Sequence, residues 1–182
     1  MSGIEVSAET EKNRYHLAYL LLGSNIRAEI NLSAAVRELG RFGRVLRISQ
    51  VWQSPPIDGP GQPDYLNAAL ILETPLSAAD LKETAIFSVE GNLGRVRSSD
   101  RFAPRTIDID IALFDRQIIR LGQRHIPDPE ILERPFLAIP LAEIAPDYVH
   151  PVTGESLAKI ASRFDPQRCG MCLRTDLTFE LY

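Results

Sequence analysis

Cysteine is scarce in this chain: its 182 residues hold two, Cys169 and Cys172, which form a single C-x-x-C near the end. Two thiols are too few for a disulfide framework, and without a second ligand pair they do not complete a zinc site, so two reduced thiols are expected. An excess of basic charge is missing as well. The formal net charge of −4 and pI near 5.4 exclude a surface that grips nucleic acid or an anionic membrane over its whole extent. Any anion site must therefore be a local concentration of Arg or Lys. No apolar run approaches the roughly 20 residues needed to cross a bilayer, and the opening MSGIEVSAETEKNRYH lacks the apolar centre of a secretory signal. A cytoplasmic protein is expected, with neither nucleic acid nor membrane as partner. The chain also lacks internal repeats, low-complexity stretches and the G-x-x-x-x-G-K-[ST] pattern of a P-loop, so Gly23, Ser24 and Asn25 read as a turn.

What is present suits one compact domain, with 45% hydrophobic and 24% charged residues. The domain is expected over residues 1–165, with residues 1–15 a flexible leader and 166–182 a C-terminal extension of unassigned role. HLAYLLLGSN reads as a buried strand, and the apolar spacing of Ile30, Leu32, Ala35, Val36 and Leu39 predicts a helix over Ala28 to Leu39, closed by Gly40. RVLRISQVWQS alternates like one half-buried strand, PPIDGPGQPDY is a stiffened loop, and YLNAALILET returns as a strand. Ser77 and Asp80 cap a second helix, RVRSSDRFAPR is basic loop, and TIDIDIALFD is a period-two strand. The segment HIPDPEILERPFLAIPLAEIAPD contains short helical turns, SLAKIASRF is a last helix, and CLRTDLTFELY could add an edge strand. The order β-α-β-β-α-β points to an α+β, ferredoxin-like fold: an antiparallel sheet with helices packed on it.

Chemistry concentrates in one region. Asp108 and Asp110 stand two apart on a strand, so both carboxylates leave the same face with Cα atoms roughly 6.5 Å apart. Like charges on one face repel, so the pair calls for a cation, and hard oxygen ligands favour magnesium shared with phosphate oxygens. Just upstream, Arg95, Arg97, Arg101 and Arg105 supply guanidinium forks that match phosphate. The bland alternatives are a solvated strand face for the aspartates and surface ion pairs to Glu90 and Asp100 for the arginines. Tyr65 and Asn67 share one side of their strand and offer a flat ring and an amide suited to a planar heterocycle; a tyrosine at a sheet end and a capping asparagine fit the spacing equally well.

The stretches AYLLLGSN, SPPIDGPGQPDYLNAAL, GRVRSSDRFAPRTIDIDIALFD and ERPFLAIPLAEIAPD, in this order and spacing, resemble the 6-hydroxymethyl-7,8-dihydropterin pyrophosphokinase family from about Ala18 to Asp147. The resemblance implies transfer of pyrophosphate from ATP to a pterin hydroxymethyl group in folate biosynthesis, by a monomer. It implies two magnesium ions on Asp108 and Asp110, and phosphate contacts and transition-state assembly by Arg95, Arg97 and Arg105. On the ATP side it implies Glu90, Phe102, Ile111 and Arg134, Phe102 standing where many members have Trp in a mobile loop. For the pterin it implies stacking between Tyr65 and Phe136, with Asn67 and the backbone around Ser54, Pro55 and Ile57 reading the polar edge. One departure stands out. The family's V-P-H-P reads here Ile126, Pro127, Asp128, Pro129, a carboxylate in place of an ATP-side histidine, which should weaken nucleotide binding unless a cation or His125 compensates. A silent homologue that binds pterin or nucleotide is the alternative, and an RNA-binding sheet of this fold is a remote third. The enzymatic reading requires both carboxylates to face a cavity that an ion can enter.

Overall fold

A computed structural model describes residues 14–57, 61–96 and 103–179. Strand β1 (His16–Ser24) is a near-continuous apolar run because both of its faces are covered, Leu20 and Leu22 on one side and Tyr19 on the other. It pairs antiparallel with β4 (Tyr65–Thr74) on one side and β5 (Asp108–Phe114) on the other. The helix α1 (Ala28–Leu39) has the expected bounds. Gly43, which follows it, passes so close to β4 that a Cβ there would lie 2.3 Å from the Glu73 carbonyl oxygen, so only glycine fits.

The single strand expected over 44–54 is two, β2 (Arg44–Ile48) and β3 (Trp52–Ser54), both paired with β4. The break has a local cause. Ser49 Oγ accepts the Ala69 N–H at 2.8 Å, a ladder donor that a strand carbonyl would otherwise take. Residues 78–92 form one helical stretch, α2, in which a π segment Leu81–Ile86 lies between α turns at Ala78–Asp80 and Phe87–Asn92. Its N-cap is Ser77, whose Oγ accepts the Asp80 N–H.

Two elements were not foreseen. Strands β6 (Ile119–Leu121) and β7 (Arg124–Ile126) form a hairpin, and α3 (Pro135–Ile144) is a ten-residue helix rather than short turns. A last helix, α4 (Leu157–Ala161), and β8 (Cys172–Leu173) complete the chain. The sheet order is β5-β1-β4-β3-β8, with β2 also on β4, all antiparallel. The expected edge strand over 172–182 pairs only at Cys172–Leu173, though Leu177 and Phe179 pack against the core. The leader falls mostly outside the described residues.

Helices α1 and α2 cover one face, burying Leu32, Val36, Leu81, Ala85 and Ile86 against Leu20, Ile107 and Ile109. Helices α3 and α4 cover only part of the other face, over Tyr19, Ala69, Ile71 and Leu113. A register shift between Tyr19 and Leu20 places both Ala112 and Leu113 under those helices, so the face bearing Asp108 and Asp110 stays uncovered further along β5.

Candidate active site

The uncovered part of the sheet floors a cavity of about 540 Å³. Its floor is a row across three strands in which Gly23 of β1 faces Asn67 of β4 on one side and Asp108 of β5 on the other. Gly23 is thus strand, not turn. A Cβ there would lie 3.6 Å from Asn67 Oδ1 and 3.8 Å from the Tyr65 ring, so glycine leaves open the space between amide, ring and carboxylate.

On the Asn67 side, Asn67 Nδ2 donates to Ser54 Oγ at 2.9 Å and to the Trp52 carbonyl at 3.2 Å, which leaves Oδ1 toward the cavity floor. Ser54, Pro55, Ile57 and Tyr65 line this end, and Phe136, on the first turn of α3, lines it from above the sheet. All six residues expected around a heterocycle line one cavity. Burial pushes the Tyr65 phenol above its ordinary value, so the ring stays neutral.

On the other side, Asp108 and Asp110 both line the cavity. Asp108 pairs with Arg105 and, at 2.9 Å, with Arg95 Nη2. Asp110 pairs with Arg124 and, at 3.4 Å, with Lys82 Nζ. Burial alone would push the Asp110 carboxyl up, but Arg124 and Lys82 outweigh it and hold it below the ordinary carboxylate value. These ion pairs do not seal the site, because Arg105 and Arg124 themselves line the cavity and the aspartate side chains remain 17% and 23% exposed. Arg134 lines the same space, and its buried Nε has no hydrogen-bond partner among the described residues. Ile111 lines it too, although its side chain belongs to the helix-side core.

Glu90 and Arg95 stand behind the cavity rather than on its wall. Glu90 is 3% exposed and accepts the Ile109 N–H at 3.0 Å, tying α2 to β5, while Arg95 Nη1 donates to the Ile107 carbonyl at 2.6 Å. Both therefore fix the strand that carries the aspartates. Arg97, Arg101 and Phe102, the last expected in a mobile loop, lie outside the described residues. Asn25 acts on the same region, since its Oδ1 accepts the Arg105 N–H at 2.7 Å.

Lys82 and Arg124 escaped the sequence reading. Lys82 projects from the helix-covered face and reaches round β5, the sheet edge, donating also to the Ile109 carbonyl at 3.1 Å; no spacing in the sequence marks this. Arg124 was findable. Its hairpin has a two-residue loop, Gly122 and Gln123, between short strands, and Gly122 has φ +60°. Asp128 lines the cavity beside it, caps the next turn by accepting the Glu130 N–H at 2.9 Å, and is pushed up by burial and by Asp110.

The sequence matches the 7,8-dihydro-6-hydroxymethylpterin-pyrophosphokinase family over residues 19–146. It is 38% identical over 152 residues to the 2-amino-4-hydroxy-6-hydroxymethyldihydropteridine pyrophosphokinase of Methylorubrum extorquens, covering 82% of this chain and 94% of that protein. The protein of the same name from Synechocystis sp. is 35% identical over 153 residues, covering 82% of this chain and 77% of that one. Among solved structures, wild-type HPPK-DHPS of Plasmodium falciparum superposes with a TM-score of 0.67 at 14% identity, over 84% of this chain. This chain spans 45% of that longer one, and at such identity the likeness speaks for the fold alone.

Proposed function

The chain belongs to the 7,8-dihydro-6-hydroxymethylpterin-pyrophosphokinase family, and we propose that the cavity floored by Gly23 is where it moves the pyrophosphoryl group of ATP onto the hydroxymethyl oxygen of 6-hydroxymethyl-7,8-dihydropterin. It is an ATP-dependent diphosphotransferase of folate biosynthesis. The observation that carries the assignment of the cavity is the row Asn67–Gly23–Asp108, which sets the amide and aromatic end of the cavity directly beside two carboxylates.

In this reading the pterin ring stacks between Tyr65 and Phe136, and Asn67 and Ser54 face its polar edge. The donor set fits magnesium. Asp108 and Asp110 offer hard oxygens, Asp110 is held ionised, and no group of three His, Cys, Asp or Glu forms an all-protein cage among the described residues. Such an ion keeps waters and takes further oxygens from phosphate, and two ions, held by Asp108 and Asp110, are part of the proposal. Held by Asp108 and Asp110, magnesium would supply positive charge to neutralise phosphate oxygens and polarise the reacting phosphorus.

The chain's own part is positioning and charge. The hydroxymethyl oxygen attacks the β-phosphorus in line, the new O–P bond forms as the bond to the α-phosphate oxygen breaks, and AMP leaves. Arg105 and Arg124, which line the cavity beside the aspartates, would bind the phosphate oxygens, and Arg134 on the same wall adds a further guanidinium. Arg97, Ile111 and Phe102 keep the roles that the family resemblance gives them, whereas Arg95 and Glu90 act from behind the cavity by holding β5.

Asp128 favours a second reading, a silent pterin- or nucleotide-binding homologue, because a carboxylate faces the triphosphate. Arg124 offsets it: the same side chain lies in the fields of Asp110, Asp108 and Asp128. The test is to incubate the chain with ATP, magnesium and hydroxymethyl-dihydropterin and follow AMP. Asp110→Ala should lower the rate by on the order of 10³-fold. Pterin binding measured by calorimetry without AMP release under any divalent metal would instead establish the silent homologue.

A further inference from the structure

The strand β3 that delivers Ser54 and Pro55 to the pterin end of the cavity is three residues long, and on its own would be a short, weakly held edge. It is not the edge. β8 pairs along its outer side, Trp52 with Leu173 and Gln53 with Cys172, so β3 is held between β4 and the C-terminal segment. The Arg174 N–H extends this ladder, donating to the Val51 carbonyl at 2.9 Å.

Arg174 then anchors the segment with its side chain. Its guanidinium donates to Glu29 Oε1 on α1 at 2.8 Å, to Asp176 Oδ2 at 2.7 Å and, more weakly, to Gln53 Oε1 at 3.4 Å. Met171, at the head of β8, is 4% exposed, and Leu177 and Phe179 pack on the helix-side core. Gly170, with φ +69°, backs onto Pro55 closely enough that a Cβ there would touch its ring at 3.5 Å. The tail therefore braces the outer wall of the slot from the end remote from Asp108 and Asp110.

We propose that the C-terminal segment 170–174 positions the pterin-binding wall, with Arg174 as the positioning residue. This rests on the cavity being the pterin site. Each exposed ion pair of Arg174 is weak by itself, so the backbone bond to Val51 carries more of the effect than the guanidinium. Two substitutions separate these contributions: Arg174→Ala keeps the backbone donor, and Arg174→Pro removes it.

Steady-state kinetics on the 182-residue chain supply the test. Arg174→Ala should raise KM for the pterin about threefold and Arg174→Pro about tenfold or more, with KM for ATP and kcat within about twofold of wild type; Arg174→Lys should recover most of the loss seen in Arg174→Ala. A merely structural role would move both KM values, kcat and the melting temperature together, and that result, or an unchanged pterin KM in both variants, would overturn the proposal. If the wild-type chain released no AMP, the catalytic reading would fail by itself. The brace would then be judged by calorimetric affinity for hydroxymethyl-dihydropterin, lowered in the same order for support and unchanged for refutation.

Discussion

Glu143 Oε1 accepts the Trp52 indole N–H at 2.8 Å, linking the last turn of α3 to β3. Its other oxygen accepts the Gln50 N–H at 2.9 Å. Phe136 lies on the first turn of that helix and Ser54 ends that strand, so one carboxylate ties together the two elements that wall the proposed pterin slot. Glu143→Ala should cost about 1–2 kcal/mol in urea denaturation. It should also raise KM for the pterin more than KM for ATP, and equal rises would show that the link only stabilises the fold.

Gly23 permits a cleaner separation of stability from binding. A methyl group there meets its neighbours at ordinary contact distance, so Gly23→Ala should fold and gain up to about 0.5–1 kcal/mol from lost unfolded-state freedom. The same methyl group stands in the floor of the slot. Pterin affinity should therefore fall by at least about tenfold while thermal stability holds or rises, and unaltered affinity would place the ring elsewhere.

Arg124 and Asp128 should prove coupled. Asp128→Asn removes the charge but keeps an oxygen that can accept the Glu130 N–H, so the turn survives. Alone it should lower KM for ATP modestly, and Arg124→Ala alone should raise it. In the Arg124→Ala background the gain from Asp128→Asn should be larger by about fivefold, read from a double-mutant cycle. Strict additivity would mean that Arg124 does not offset Asp128.

His150 gives the fold a pH dependence away from the site. It is 2% exposed, its Nδ1 accepts the Val152 and Thr153 N–H groups at 3.4 and 3.3 Å, and burial, partly opposed by Glu155, pushes its pKa below 6.5. A depressed value means that the unfolded chain takes up the proton first. The stability that the neutral ring contributes is thus complete above 6.5 and lost as pH falls through the lower folded value. Melting temperatures from about pH 8 down to about pH 4.5 should fall less steeply in His150→Asn than in wild type.

Much of this architecture was legible because local pattern and tertiary role coincide. The alternation of Ile107, Asp108, Ile109 and Asp110 announces one buried and one open face, and both turn out as written. The apolar spacing of α1 gives its bounds to the residue. The division at Ser49 was not legible, because a hydroxyl replaces a ladder acceptor without disturbing the period-two pattern. Lys82 was hidden for a different reason: a long side chain crosses from one face to the other at a sheet edge, and no periodicity records which strand is at the edge. Glu90 shows the converse, a residue that family likeness puts on the ATP side and that folding buries behind the cavity wall.

Among the described residues, Lys82, Arg95, Arg105 and Arg124 are seated on Asp108 and Asp110, which bears on how an ion would load. A bare divalent ion would have to displace guanidinium and ammonium groups from the two carboxylates. An ion that travels in on a triphosphate brings anionic oxygens ready to receive the evicted groups. If Asp108 and Asp110 hold the ions as proposed, metal carried in on nucleotide should load more readily than free metal.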